Sequence, residues 1–270
     1  MASPFGSGRL GPSALALVKR VSDVLGIGEE GQSREAWRSD LQQPLLERSQ
    51  RRLKNEDLRD QQNLESITAM AVSFLNGDST PEKISDGWLA YFSANARLIP
   101  DRQTQMFWAK VLAGEANRPG SFSRRSLACL VSIDTADLKM LANVRRACIQ
   151  FDKFVLFVYE LNGKIYRDNG MDFPTLLHLD EIGLLNFTEV AEHSAITSEG
   201  LRGCVQYFDE QISVELGPNQ RLRTGFVTLT RTGEELVRIC DAGPIEGFSD
   251  YIRRTWQSMG VHVSLLTECA

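Results

Sequence analysis

Cysteine is sparse and scattered. Cys129, Cys148, Cys204, Cys240 and Cys269 are odd in number, lie far apart, and include no C-x-x-C pair. Such spacing gives no disulfide framework and reads as thiols kept in a reducing compartment. The three histidines, His178, His193 and His262, lack both H-x-x-x-H and H-E-x-x-H spacing, so no metal site is legible. No G-x-x-x-x-G-K-S/T, G-x-G-x-x-G or G-x-S-x-G occurs, which removes the common phosphate-loop, dinucleotide and serine-hydrolase signatures. No cofactor is therefore expected. No stretch approaches the roughly 20 apolar residues of a membrane span. The opening MASPFGSGRLGPSALALVKR lacks the uninterrupted apolar core and small-residue cleavage site of a secretory signal, and a cytoplasmic protein is the expectation. Positive charge is not in excess either. A net charge of -5 and a pI near 5.4 disfavour a surface that traps polyanions as a whole, leaving room only for a local basic patch.

What is present is an ordinary globular composition, 42% hydrophobic and 24% charged over 270 residues, which is neither a disordered chain nor a membrane-embedded one. The length admits one large domain or two smaller ones. Residues 1–12 are Gly-, Ser- and Pro-rich, and Ala14, Leu17, Val18, Val21 and Leu25 then fall on one face of a short amphipathic helix. Such a helix suits a membrane surface or a partner, or an arm packed on its own body or on a second copy. From Arg34 to Asp60 charges of both signs alternate closely. Arg48, Arg51, Arg52, Lys54 and Arg59 sit among Glu47, Glu56, Asp57 and Asp60, a solvated helix or linker with local ion pairs rather than a nucleic-acid stripe. Residues 1–60 therefore read as a flexible or helical arm. Beyond it, Leu64, Ile67, Ala71 and Phe74 mark the first core helix. Ser85 is placed to cap a helix bearing Trp88, Tyr91 and Phe92, an aromatic set at helical spacing that reads as core rather than as a base-stacking platform.

The densest information lies in Gln105–Leu130, QMFWAKVLAGEANRPGSFSRRSLACL. Asp101 is an N-cap for a helix carrying Phe107, Trp108, Val111 and Leu112 at three- and four-residue spacing. Gly114 is placed to end that helix in the left-handed conformation. Pro119-Gly120 makes a turn, and Ser121 or Ser123 caps a second helix that turns Leu127, Leu130 and Val131 inward. The expectation is a tight helical hairpin, helices 102–113 and 123–131. Glu115 beside Arg118 reads as a loop-fixing ion pair; an acid–base pair with Asp86 is the alternative. The run of Trp108, Lys110, Leu112, Ala113, Gly114 and Glu115, followed by Pro119, Gly120, Ser121 and Ser123, resembles the signature of a bacterial family known as domain of unknown function 2806. Gln62–Ile67, Asp86-Gly87-Trp88, Phe173–Leu176 and Ile182–Leu184 extend the similarity over most of the chain from about Asp57 onward. The resemblance implies a family and attaches no activity.

Farther on, Asp134 caps a helix in which Leu141, Val144, Cys148, Phe151, Val155 and Val158 keep a three-to-four period, so one long helix is predicted. A boundary is expected between Leu161 and Asp172, giving a helical signature domain over residues 61–160 and a second domain over 170–266. In the latter, Asp172-Phe-Pro opens a helix with Leu176, Leu177, Leu179 and Ile182, stopped by Gly183. His178 reads as a boundary residue of that helix. Residues 205–216 and 222–230 read as a hairpin around Gly217-Pro218-Asn219. Thr230 then caps a helix through Leu236, Val237 and Cys240, and Phe248, Tyr251, Ile252 and Trp256 form a last helix before a strand through Val261 and Val263. Leu229–Leu236, LTRTGEEL, resembles the step from wing to helix in winged-helix domains. The stretch where a recognition helix belongs, Thr188–Gly203, carries Glu189, Glu192 and Glu199 against Arg202, poor chemistry for phosphates. Arg221, Arg223 and Arg231 are the remaining candidates for nucleic-acid contact.

The fold expected is mostly α with a smaller α+β part: a helical bundle followed by a winged-helix-like C-terminal domain. The function expected is a non-catalytic interaction or regulatory module, with a protein partner or a homo-oligomer and no membrane span. Trp108, Lys110, Gly114, Glu115, Arg118, Pro119, Gly120 and Ser121 would form its interaction or structural signature. The alternative is a winged-helix nucleic-acid binder. An enzyme would need a pocket uniting residues distant in sequence.

Overall fold

The computed structural model describes residues 44–187, 193–199 and 202–266. The amphipathic helix read at 13–25, its lead-in, and Cys269 lie outside them. The described residues are mostly helical with a smaller antiparallel β part. Helix α1 (Leu45–Val72) turns Ile67 and Ala71 into the core and leaves Leu45, Leu46, Leu53 and Leu58 exposed along its first half. Within it Arg52 pairs with Glu56 at 2.6 Å, a solvated ion pair of the kind expected for this stretch. A 3-10 turn (Pro81–Lys83) leads to α2 (Asp86–Ala96), which the Ser85 side chain caps as its position predicted. Trp88 and Phe92 are buried and stacked at 5.2 Å, core rather than a platform.

Helix α3 (Arg102–Asn117) starts at Asp101, whose carboxylate accepts from the Gln103 and Thr104 amides at 3.0 Å. A polar seam locks it to α1: Gln105 donates to Asn63 and to the Ile99 carbonyl, and Ser66 donates to Gln105. Helix α4 (Arg124–Ser132), capped by Ser123, and α5 (Thr135–Arg145), with an Asp134–Asp137 capping box, complete the helical half.

Helix α3 does not stop at Gly114. It continues to Asn117, and the glycine is needed for a different reason: a Cβ there would lie 2.6 Å from the ring of Phe122. The long helix predicted after Asp134 is also corrected. It ends at Arg145, and the chain turns into a hairpin of β1 (Cys148–Gln150) and β2 (Phe154–Leu156), with Ile149 opposite Val155. Residues 155–158 are all buried, so the apparent three-to-four period was a subset of a continuous apolar run of the kind that strands covered on both faces produce. The Arg145 guanidinium lies 4.1 Å from the Phe154 ring and 4.7 Å from that of Phe208, which covers the hairpin from the helix end.

A short α6 (Lys164–Arg167) and α7 (Phe173–Glu181), capped by Asp172, precede β3 (Leu185–Phe187). Then come β4 (His193–Glu199), β5 (Arg202–Tyr207), β6 (Glu210–Glu215), β7 (Pro218–Gly225) and β8 (Val227–Leu229). Last are α8 (Arg231–Val237), capped by Thr230, α9 (Phe248–Ser258) and β9 (His262–Leu266). One antiparallel sheet runs β2-β1-β5-β6-β9, and β3 pairs with β8 and β4 with β7. The predicted hairpin partners are thereby re-sorted. Residues 205–216 fold on themselves as β5–β6 about Phe208-Asp209, while 222–225 pair back to β4. Thr188–Gly203, the stretch assigned to a recognition helix, contains strand β4. Gly217-Pro218-Asn219 leads from β6 into β7, strands of different sheets, while the burial of Val205, Tyr207, Ile212 and Val214 on one face specifies the β5–β6 register.

Candidate functional site

The signature folds into a loop held from three directions. Glu115, buried in the last turn of α3, accepts from the Gly120 amide at 2.7 Å through one carboxylate oxygen and from the Phe122 amide at 2.9 Å through the other. What fixes the loop is thus a pair of backbone amides on Glu115, where the sequence suggested Arg118. Gly120 has a φ of +86°, a conformation that glycine adopts without strain. Ser121 closes the turn by donating to the Arg118 carbonyl at 2.5 Å. From α2, Trp88 Nε1 donates to the Phe122 carbonyl at 2.8 Å. From the far end of the chain, buried Glu235 on α8 accepts from the Ser123 amide and the Ser126 hydroxyl, each at 2.6 Å, and its second oxygen takes Arg231 Nε at 2.9 Å. Burial alone would raise the Glu235 pKa. The Ser123 amide, the Ser126 hydroxyl and the Arg231 guanidinium outweigh it and hold the carboxyl below its ordinary range.

Trp108 is wholly buried, with its ring edge-on to Phe92 at 5.3 Å. Lys110, one residue from the next helical turn of that core face, reaches toward α8. Its ammonium meets the Asp241 carboxylate at 2.5 Å and the Ile239 carbonyl at 3.3 Å, and lies within 6.0 Å of the centres of the Phe74 and Phe107 rings. The Lys110 side chain is only 12% exposed while that of Asp241 is 89% exposed, so a nearly desolvated cation is joined to a solvated anion.

This pair stands between two clefts. One, of about 460 Å³, is walled by the signature itself, with Gly114, Arg118, Ser121 and Phe122 facing Arg238 and Cys240. The other, of about 500 Å³, lies between α3 and α5. Lys110 and Asp241 line both. Asp241, Glu235 and Phe122 were not singled out in the sequence. The Thr-x-x-Gly-Glu-Glu step placed Glu235 on a helix, but nothing local pointed it at a loop more than a hundred residues earlier.

The arrangement leaves little for acid–base or nucleophilic chemistry. Both oxygens of Glu115 are occupied by the Gly120 and Phe122 amides, which leaves neither for an acid–base pair with Asp86 in the first turn of α2. Burial pushes the Cys148 and Cys240 thiols up to about 12, so neither is a thiolate at neutral pH. His178 bonds Asp137 at 2.6 Å between α7 and α5, a boundary residue that joins two helices. Among the described residues no group of three or more His, Cys, Asp or Glu side chains could hold a metal ion, and no helix is long and apolar enough to cross a membrane. Arg221 and Arg223 are exposed on one face of β7, with Leu222 and Thr224 buried on the other, whereas Arg231 is engaged by Glu235.

A family model described as Protein of unknown function (DUF2806) matches residues 47–253. No curated protein and no solved structure matches the chain.

Proposed function

We propose that this chain, which belongs to the DUF2806 family, is a non-catalytic, cytoplasmic interaction or regulatory module whose signature builds a rigid recognition wall instead of a reaction centre. One observation carries the reading: the signature's chemically versatile groups are engaged inside the fold. Glu115 is closed by two amides, Ser121 by a carbonyl, and Lys110 by Asp241 and the Ile239 carbonyl. A general base or nucleophile must reach a substrate proton or carbon, and these groups face their own chain. Arg118 and Gly120 remain exposed at the loop crest, where a protein partner or a second copy would read them. In this proposal residues 61–160 are the signature domain, 170–266 the winged-helix-like domain, and 1–60 an arm.

The test is capture of tagged protein from its native lysate, with and without nuclease, with light scattering of the eluate. A Gly120→Val variant, verified as folded by circular dichroism, is run beside it. A defined protein partner or homo-oligomer that survives nuclease and is lost in the variant is the expected result. An unchanged complex from the folded variant would remove the loop from the interface.

A second reading, winged-helix nucleic-acid binding, is supported by the order α7, β3, the β4–β7 ribbon, β8 and α8, and by Arg221 and Arg223 side by side on the exposed face of that ribbon. The helix before the ribbon, FPTLLHLDE, has neither lysine nor arginine, which weakens major-groove docking. A gel shift at low salt that vanishes in Arg221→Ala/Arg223→Ala and weakens steeply with added salt would establish it; absence of any shift would dismiss it.

A further inference from the structure

The two clefts beside Lys110 carry the same lining charges, three cations and Asp241, but in the signature cleft one of those cations, Arg238, is already taken by Glu234 at 2.7 Å. In the one between α3 and α5, Met106, Phe107, Leu138 and Ala142 supply apolar surface, and Arg102 and Lys139 are exposed beside it. Neither Arg102 nor Lys139 has a carboxylate partner among the described residues. Lys110 adds a third cation, and the sole acid lining the cleft, Asp241, is already on Lys110. The lining therefore carries three positive charges against one negative, on a protein whose net charge is -5. Along α3 the lining residues Arg102, Met106 and Lys110 are spaced four apart. They form one stripe about 12 Å long at 1.5 Å per residue, which suits an extended chain. The volume of about 500 Å³ falls within the range of roughly 300–1,000 Å³ typical of small-molecule sites.

We propose that this cleft binds an amphipathic anion: a medium-chain carboxylate, or a ligand of like chemistry, whose acyl body covers Met106, Phe107, Leu138 and Ala142 while its head group is held by the cations of the lining. Burial of methylenes supplies affinity, and the cations supply preference for a charged head over a neutral one. Asp241 is the internal competitor. It occupies Lys110 when the cleft is free and repels an incoming anion, so its removal strengthens binding.

The experiment is isothermal titration of the full chain with octanoate, 1-octanol and acetate. Octanoate is expected to bind about tenfold more tightly than 1-octanol, the margin of a single charge-assisted contact, and acetate to give no heat. Lys139→Glu, at an exposed position, should weaken octanoate and leave 1-octanol unchanged. Arg102→Gln should act in the same direction. Asp241→Asn should tighten octanoate several-fold. Equal affinities for octanoate and 1-octanol, indifference of octanoate to both cation variants, or no octanoate heat at millimolar concentration would each overturn the proposal. The exposed variants do not touch the core, and their melting temperatures check that the fold is intact.

Discussion

Two parts of this molecule are fixed in opposite ways. The signature loop is pinned by charge: two buried carboxylates, Glu115 and Glu235, together take three backbone amides and a hydroxyl. The base of the β7 ribbon is pinned by aromatic packing. Phe157 and Trp256 meet edge to face at 5.3 Å with Phe151 beside both, and Trp256 Nε1 donates to Tyr159 Oη, which donates to the Arg223 carbonyl at 2.6 Å. Packing of large rings contributes much free energy and is indifferent to pH, whereas a carboxylate clamp is directional, holds the backbone of a turn in one place, and depends on ionisation. A loop without a core of its own needs the second kind of support.

Substitutions in each region separate the two kinds of support. Trp256→Ala should have the largest effect, a loss of about 3–5 kcal/mol as for other buried large-to-small changes, read from urea unfolding and equal at pH 7 and pH 4. Glu235→Ala should follow at about 2–3 kcal/mol, because it strands the buried Ser126 hydroxyl and the Ser123 amide. Here pH separates the two regions. The Glu235 carboxyl is held below its ordinary 4.5 in the folded protein, so its contribution is present above the unfolded value and is lost as pH falls through the folded one. The stability gap between wild type and Glu235→Gln should therefore close on acidification, while the Trp256→Ala gap persists. A constant Glu235→Gln gap down to pH 3 would contradict the clamp.

Gly114→Ala should cost about 1 kcal/mol. Crowding of Phe122 is worth roughly 1–3 kcal/mol against a helix-propensity gain of about 1, and a net stabilisation would mean that the ring shifts freely. Smallest is Arg231→Ala. Its guanidinium is 80% exposed, and such pairs contribute about 0.2–1 kcal/mol, a change visible only as a small shift in urea midpoint that disappears in high salt.

Local chemistry made half of this architecture readable. The capping side chains at Ser85, Asp101, Asp134, Asp172 and Thr230 act where their positions predicted, and of Ser121 and Ser123, both placed to cap α4, it is Ser123 that does so, since a cap acts within one helical turn. The β part was less legible. Strand partners such as Gln150 and Gln206, or Glu215 and His262, are far apart in sequence, and their choice depends on which apolar faces meet. The same holds for the site. Trp108, Lys110, Gly114 and Glu115 stood out by their density. Glu235 and Asp241, which complete the loop clamp and the wall between the clefts, have meaning only once α8 is beside α3 and α4.

The separation between Ser123 and Glu235 also orders events in time. The clamp spans 112 residues, and at a synthesis rate of about 5–20 residues per second the carboxylate emerges on the order of ten seconds after the loop it will hold. Through that interval the nascent loop has Glu115 and Trp88 within reach and lacks its third support. Completion of the signature thus waits on α8, which makes the arrival of the C-terminal part the closing step in maturation of the N-terminal one.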